Sequence, residues 1–128
     1  MKPITKEMLR IYKCNSGYDW MNYHLVRKET TYHHIIKRSD GGKDLLNNGA
    51  LLMPKAHEYL HIIEYVHKHY YELLNMIFKI VNNQYCEPNK DQREAIEFIL
   101  QDFEYHHMKD TNSKGKRLIK PEYLKRWK

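Results

Sequence analysis

Residues 31–61 read TYHHIIKRSDGGKDLLNNGALLMPKAHEYLH, and the fold turns on this stretch. Thr30 to Ile36 is rich in β-branched and aromatic residues and predicts a strand. Ser39-Asp40-Gly41-Gly42 predicts a turn or loop, and Gly49-Ala50-Leu51-Leu52-Met53 a second short strand. Pro54 then opens a helix at a position where its missing N–H costs nothing, and the apolar spacing continues through Leu60, Ile63 and Val66. His57 and His61, four residues apart, share one face of that helix and can grip one metal ion. His33 and His34 are neighbours on a strand, so their side chains point to opposite faces. One of them can join a metal while the other does something else.

Outward from this core the chain reads as helical. Thr5–Lys13 predicts a short helix with Thr5 as N-cap and Met8, Leu9 and Tyr12 on one face. Tyr18–Val26 is aromatic and reads as extended. Beyond Val66 a kink near Val66–His69 precedes a helical pattern over Tyr70–Val81. Asp91–Met108 predicts a further helix with Ile96, Ile99, Leu100 and Phe103 as its buried stripe. Thr111–Lys116 reads as a basic loop, and Pro121 as the start of a final short helix. Tyr32, Tyr59, Tyr65, Tyr70 and Tyr71 read as core or rim, and His67, His69, His106 and His107 as surface residues. The expected architecture is α+β, one domain over residues 1–128, with a ββα core at about 30–66 flanked by α-helices.

Composition narrows the function classes. A chain of 128 residues with 41% hydrophobic and 30% charged residues has room for one soluble core. It has no apolar run near the ~18 residues that span a bilayer and no secretory h-region at its start, so a cytoplasmic location without membrane contact is expected. The two cysteines, Cys14 and Cys86, form no CxxC pair, which argues against a disulfide framework or a cysteine zinc knuckle. The net charge of +6 is unevenly placed. Residues 109–128 hold Lys109, Lys114, Lys116, Arg117, Lys120, Lys125, Arg126 and Lys128 against Asp110 and Glu122, which accounts for all of it. A basic segment on a neutral body suggests a polyanionic partner.

The order His33-His34, Gly41-Gly42, Asn48, His57, His61 resembles the HNH motif, and most closely the form in the colicin DNase domains. The spacings His34 to Gly41, Asn48 to His57 and His57 to His61 are the same, and Pro54-Lys55 precedes the helical histidine. The loop between Gly42 and Asn48 is one residue shorter. DWMNY, TYHHIIKR, NGALL and the late SKGK segment are also similar to small HNH proteins encoded in Firmicutes genomes. The resemblance covers 31 of 128 residues.

It implies a ββα-metal (His-Me finger) core and hydrolysis of DNA phosphodiester bonds to 5′-phosphate and 3′-hydroxyl ends, and it leaves RNA open as a substrate. His34 would be the general base and Asn48 the group that orients it. His33, His57 and His61 would hold one divalent ion, with three imidazoles favouring Zn²⁺, Ni²⁺, Co²⁺ or Mn²⁺ over Mg²⁺. The colicin enzymes carry a Glu where this chain has Thr31, so support for the ligands is expected elsewhere, from Glu29 or Glu58. Lys37, Arg38, Lys43 and Lys55, with Lys114, Lys116 and Arg117 of the basic segment, are the candidate phosphate contacts. The alternative is a non-catalytic, metal-stabilised nucleic-acid-binding or interaction module, which would need neither His34 nor Asn48.

Overall fold

A computed structural model describes residues 1–22 and 28–107. Its elements are α1 (Pro3–Ile11), β1 (Thr31–His34), β2 (Gly49–Leu52), α2 (Pro54–Val66), α3 (Lys68–Gln84) and α4 (Lys90–His107), with short 3₁₀ turns at Arg38–Asp40 and Leu46–Asn48 between the strands. The architecture is therefore α+β: a two-stranded antiparallel sheet followed by a helix, with further helices around it. Among the described residues no helix is long and apolar enough to cross a membrane.

The strands pair with Thr31 opposite Leu52, Tyr32 opposite Leu51, His33 opposite Ala50 and His34 opposite Gly49. β1 is shorter than its β-prone sequence predicts. Ile35 still donates to the Asn48 carbonyl at 2.9 Å, but the Ile36 N–H is taken by the Asn48 side chain at 2.7 Å, which ends the ladder. Gly42 then returns against the same strand end, its N–H on the Lys37 carbonyl at 2.8 Å. A Cβ at this position would collide with the Ile36 carbonyl, so only glycine fits.

α1 begins earlier than expected. Pro3 starts the helix, Lys2 is the N-cap without a side-chain bond, and Thr5 lies on the buried face instead of capping it. Its end is a Schellman closure, with Cys14 N–H on Leu9 O at 2.8 Å, Lys13 N–H on Arg10 O at 3.2 Å and Lys13 left-handed at φ 57°. The expected kink after Val66 is His67, whose extended backbone separates α2 from α3 and whose ring Nδ1 accepts from Tyr70 N–H as the cap of α3. Residues 18–22 form turns rather than a strand, although Trp20 N–H reaches Leu51 O at 2.8 Å. The remainder of the expected 18–26 segment, and the expected features beyond His107, lie outside the described residues.

The core sits where the sheet, α1 and the long helices meet. Trp20 lies between Tyr12 and Phe78, with ring centroids 5.7 and 6.1 Å away. Asn82 on α3 is buried and joins three elements: its amide donates to Gly49 O at 3.0 Å and its carbonyl accepts from Tyr12 OH at 2.9 Å. Tyr32, Tyr59 and Tyr71 are core residues as expected and Tyr70 is half-buried, whereas Tyr65 is 92% exposed.

Candidate active site

β1 ends on the two adjacent histidines, and the pleat sends them apart. His33 turns inward and is 1% exposed. His34 turns to the side where Tyr32 also points, with its ring edge-on to Tyr32 at 4.7 Å between centroids. The sheet register and the turn into α2 then bring His57 and His61 over His33. His57 and His61 stack at 4.8 Å, and His33 lies 5.4 Å from His57 and 6.3 Å from His61.

Each ring of this cluster has one nitrogen engaged by a neighbour. His33 Nε2 meets Asn75 Oδ1 of α3 at 2.7 Å. His57 Nδ1 meets Thr31 Oγ1 at 3.0 Å, and the same hydroxyl donates to Leu52 O at 2.6 Å. His61 Nδ1 faces Glu64 Oε1 at 3.3 Å, and Glu64 also pairs with Lys37. Burial holds the His33 and His57 rings neutral. It pushes His33 down to about 3 against the opposing pull of Asn75, and pushes His57 down to about 4, helped by the nearby charges of His61 and His34.

The donor chemistry suits a divalent transition ion: three imidazoles, each with one nitrogen held by a partner and one left over. Bonds of ~2.0–2.1 Å from such rings to one ion put their centroids roughly 5 Å apart. Two of the three spacings agree, and the 6.3 Å pair needs a turn of the exposed His61 ring. Among the described residues, no group of three or more His, Cys, Asp or Glu is placed so that it could hold a metal ion without such a movement.

His34 has a different environment. Its Nε2 lies 2.6 Å from Asp44 Oδ1, and Lys2 pairs with the other carboxylate oxygen at 3.0 Å. The bonds from His34 and Lys2 keep the Asp44 carboxyl below the usual carboxylate range. Because an ionised carboxylate only accepts, Nε2 carries the hydrogen and Nδ1 keeps the lone pair. Asn48 touches the backbone instead: its amide donates to Ile36 O and Lys43 O, each at 3.0 Å. It fixes the loop that carries Asp44, and the side chain bonded to the His34 ring is Asp44.

The expected phosphate contacts are dispersed. Lys37 reaches the histidine cluster through Glu64. Arg38 and Lys43 are exposed on the inter-strand loop. Lys55, two residues before His57 and so on another side of α2, lies 3.7 Å from Glu58. Lys114, Lys116 and Arg117 lie outside the described residues. A cleft of about 650 Å³ lined by Lys2, Lys28, Thr31 and Tyr32 ends at His57. A second, of about 380 Å³, is bounded by Lys37, Glu64, Tyr71 and Asn75. Among the described residues, neither Glu29 nor Glu58 bonds to a histidine; Glu29 meets the N-terminal amine at 3.6 Å and Glu58 meets Lys55. Asp44, Glu64 and Asn75 are supporting residues that the sequence did not single out, and Thr31, from which no support was expected, itself engages His57.

Residues 13–61 match the family model HNH endonuclease. The matched stretch contains both strands, the loop and the first two turns of α2, and with them all five motif residues. No curated protein and no solved structure matches the chain. The match spans less than half of the chain, and it is this stretch that is similar to the HNH endonuclease family.

Proposed function

We propose that this protein is a metal-dependent HNH endonuclease with a ββα-metal core that hydrolyses DNA phosphodiester bonds. The observation that carries this reading is the division of labour at the end of β1. His33 gathers with His57 and His61 into an imidazole cluster, while its neighbour His34 forms a separate hydrogen-bonded pair with Asp44. A purely structural metal site has no need of that second pair.

His34 takes the proton from the attacking water at Nδ1, since Asp44 fixes the hydrogen on Nε2 and stabilises the imidazolium that forms. Asn48 holds the loop carrying Asp44 against the strand end, so the base keeps its orientation between turnovers. His33, His57 and His61 would hold the ion. When bound, a divalent cation supplies charge stabilisation at the leaving 3′ oxygen. Lys37, paired with Glu64 at the edge of a cleft, is a contact for a phosphate beside the scissile one.

Supercoiled plasmid incubated with the protein and Mg²⁺, Mn²⁺, Ni²⁺ or Zn²⁺, with and without EDTA, tests the proposal. Nicking or linearisation that EDTA abolishes is expected. Metal binding without cleavage under any of these ions would instead favour a non-catalytic module.

A further inference from the structure

The three-histidine cluster is supported from two places outside the His and Asn residues of the motif. Thr31 is on β1, two residues before His33, and Asn75 is on α3, 42 residues beyond it and outside the matched stretch. The Thr31 hydroxyl has one hydrogen, and at 2.6 Å from Leu52 O that hydrogen is committed to the carbonyl. Towards His57 Nδ1, 3.0 Å away, the hydroxyl can then only accept, so Nδ1 must donate. Asn75 Oδ1 is likewise an acceptor, and His33 Nε2 at 2.7 Å must carry the hydrogen it receives. A neutral imidazole has one hydrogen. The lone pairs are therefore left on opposite atoms of the two rings: Nε2 of His57 and Nδ1 of His33.

We infer that Thr31 and Asn75 are positioning residues that lock His57 and His33 in opposite tautomers, so that the cluster offers Nε2 from the helix and Nδ1 from the strand. The consequence for an ion rests on the metal-dependent reading above; the tautomers themselves do not. Neither residue touches substrate, and each acts through the ring it holds. Partners of this kind typically change metal affinity by ~10–100-fold when removed.

The test is long-range ¹H–¹⁵N correlation of the imidazoles in the full-length ¹⁵N-labelled protein, near neutral pH in EDTA, followed by titration with Zn²⁺. Wild type is expected to show His57 with its hydrogen on Nδ1 and His33 with its hydrogen on Nε2. Thr31→Val should release the first preference and Asn75→Leu the second, each weakening Zn²⁺ binding by ~10–100-fold. Thr31→Ser and Asn75→Asp keep the acceptors and should restore both the tautomer and the affinity. The opposite tautomer at either ring in wild type, or tautomers unchanged in Thr31→Val and Asn75→Leu, would overturn the inference. The expected tautomers in a wild-type protein that binds no Zn²⁺ would uphold the positioning roles and count against the metal-dependent function instead. The wild-type spectrum decides the assignment even if a variant fails to fold.

Discussion

Replacing His34 with Ala removes the proposed base while leaving the three-ring cluster intact, because the His34 ring bonds to Asp44 and packs on Tyr32. Cleavage should fall by ~10²–10⁴-fold, with Zn²⁺ affinity by calorimetry nearly unchanged. Asp44→Asn probes the ring's orientation. Its amide can turn an N–H towards Nε2, which favours the tautomer with the hydrogen on Nδ1 and takes away the lone pair that accepts the proton. A loss of ~10–100-fold in kcat is expected, and wild-type turnover in this variant would remove Asp44 from the mechanism. The histidines were legible in the sequence because their spacing is local: two neighbours on a strand, and two at i, i+4 on a helix. Their partners were not. Asn75 reaches His33 only because α3 packs across the sheet, and Asp44 sits in a loop with no periodicity to mark it. Thr31 drew notice only as a departure from the colicin pattern, yet its hydroxyl is what engages His57.

At the scale of elements, the strand-loop-strand-helix order follows from patterns that a single segment carries: β-branched runs, a double glycine, and Pro54 at the head of α2. Boundaries follow from contacts between segments and were harder to read. β1 stops at His34 because the Asn48 side chain captures Ile36, and α1 begins at Pro3 because proline presets its first turn. Gly49 shows how tightly the strands are tied to the rest. Its carbonyl accepts from Asn82, and a Cβ on it would strike the Tyr32 ring and crowd the Met8 sulfur. Tyr32 cannot easily withdraw, since its hydroxyl donates to Leu45 O at 2.6 Å and accepts from Leu45 N–H at 3.1 Å. Gly49→Ala should therefore destabilise the fold by about 1–3 kcal/mol, the usual range for overpacking a filled core. Urea unfolding measures this, and an unchanged midpoint would mean that the strand pair has more room than its geometry indicates. His34, whose partner across the ladder is Gly49, should lose orientation in the same variant, so cleavage should fall further than stability alone explains.

For the whole molecule, the buried imidazoles link stability to pH and to metal. His33 and His57 are pushed down to about 3 and about 4 when folded, against ~6.5 in an unfolded chain. The unfolded state therefore takes up protons first. Their contribution is complete above pH ~6.5 and is lost as pH falls towards the folded values, on the order of several kcal/mol in all. In EDTA the melting temperature should begin to drop between about pH 6.5 and 5, above the range where ordinary carboxylates protonate, and a flat curve across that window would contradict the burial argument. Excess Zn²⁺ at neutral pH should raise it, through a stabilisation of about 2.7 kcal/mol at a hundredfold excess over Kd. The last whole-molecule feature is charge. All six net positive charges fall in residues 109–128, beyond the described part, while every proposed catalytic group lies between residues 33 and 61. If the basic segment contacts DNA phosphates, Lys114, Lys116 and Arg117 changed together to Ala should weaken binding equally for all sequences. The slope of log K against log salt should then fall by about 3 at most, near one per lost contact. Cleavage should drop at limiting DNA and recover at saturation, because the groups that act in the transition state are untouched. Binding is best measured with His34→Ala protein, which keeps its substrate intact, at several salt concentrations with and without the triple change. An unchanged affinity and salt slope would show that these charges do not meet the polyanion, and that the clefts beside His57 and Asn75 carry DNA binding without them.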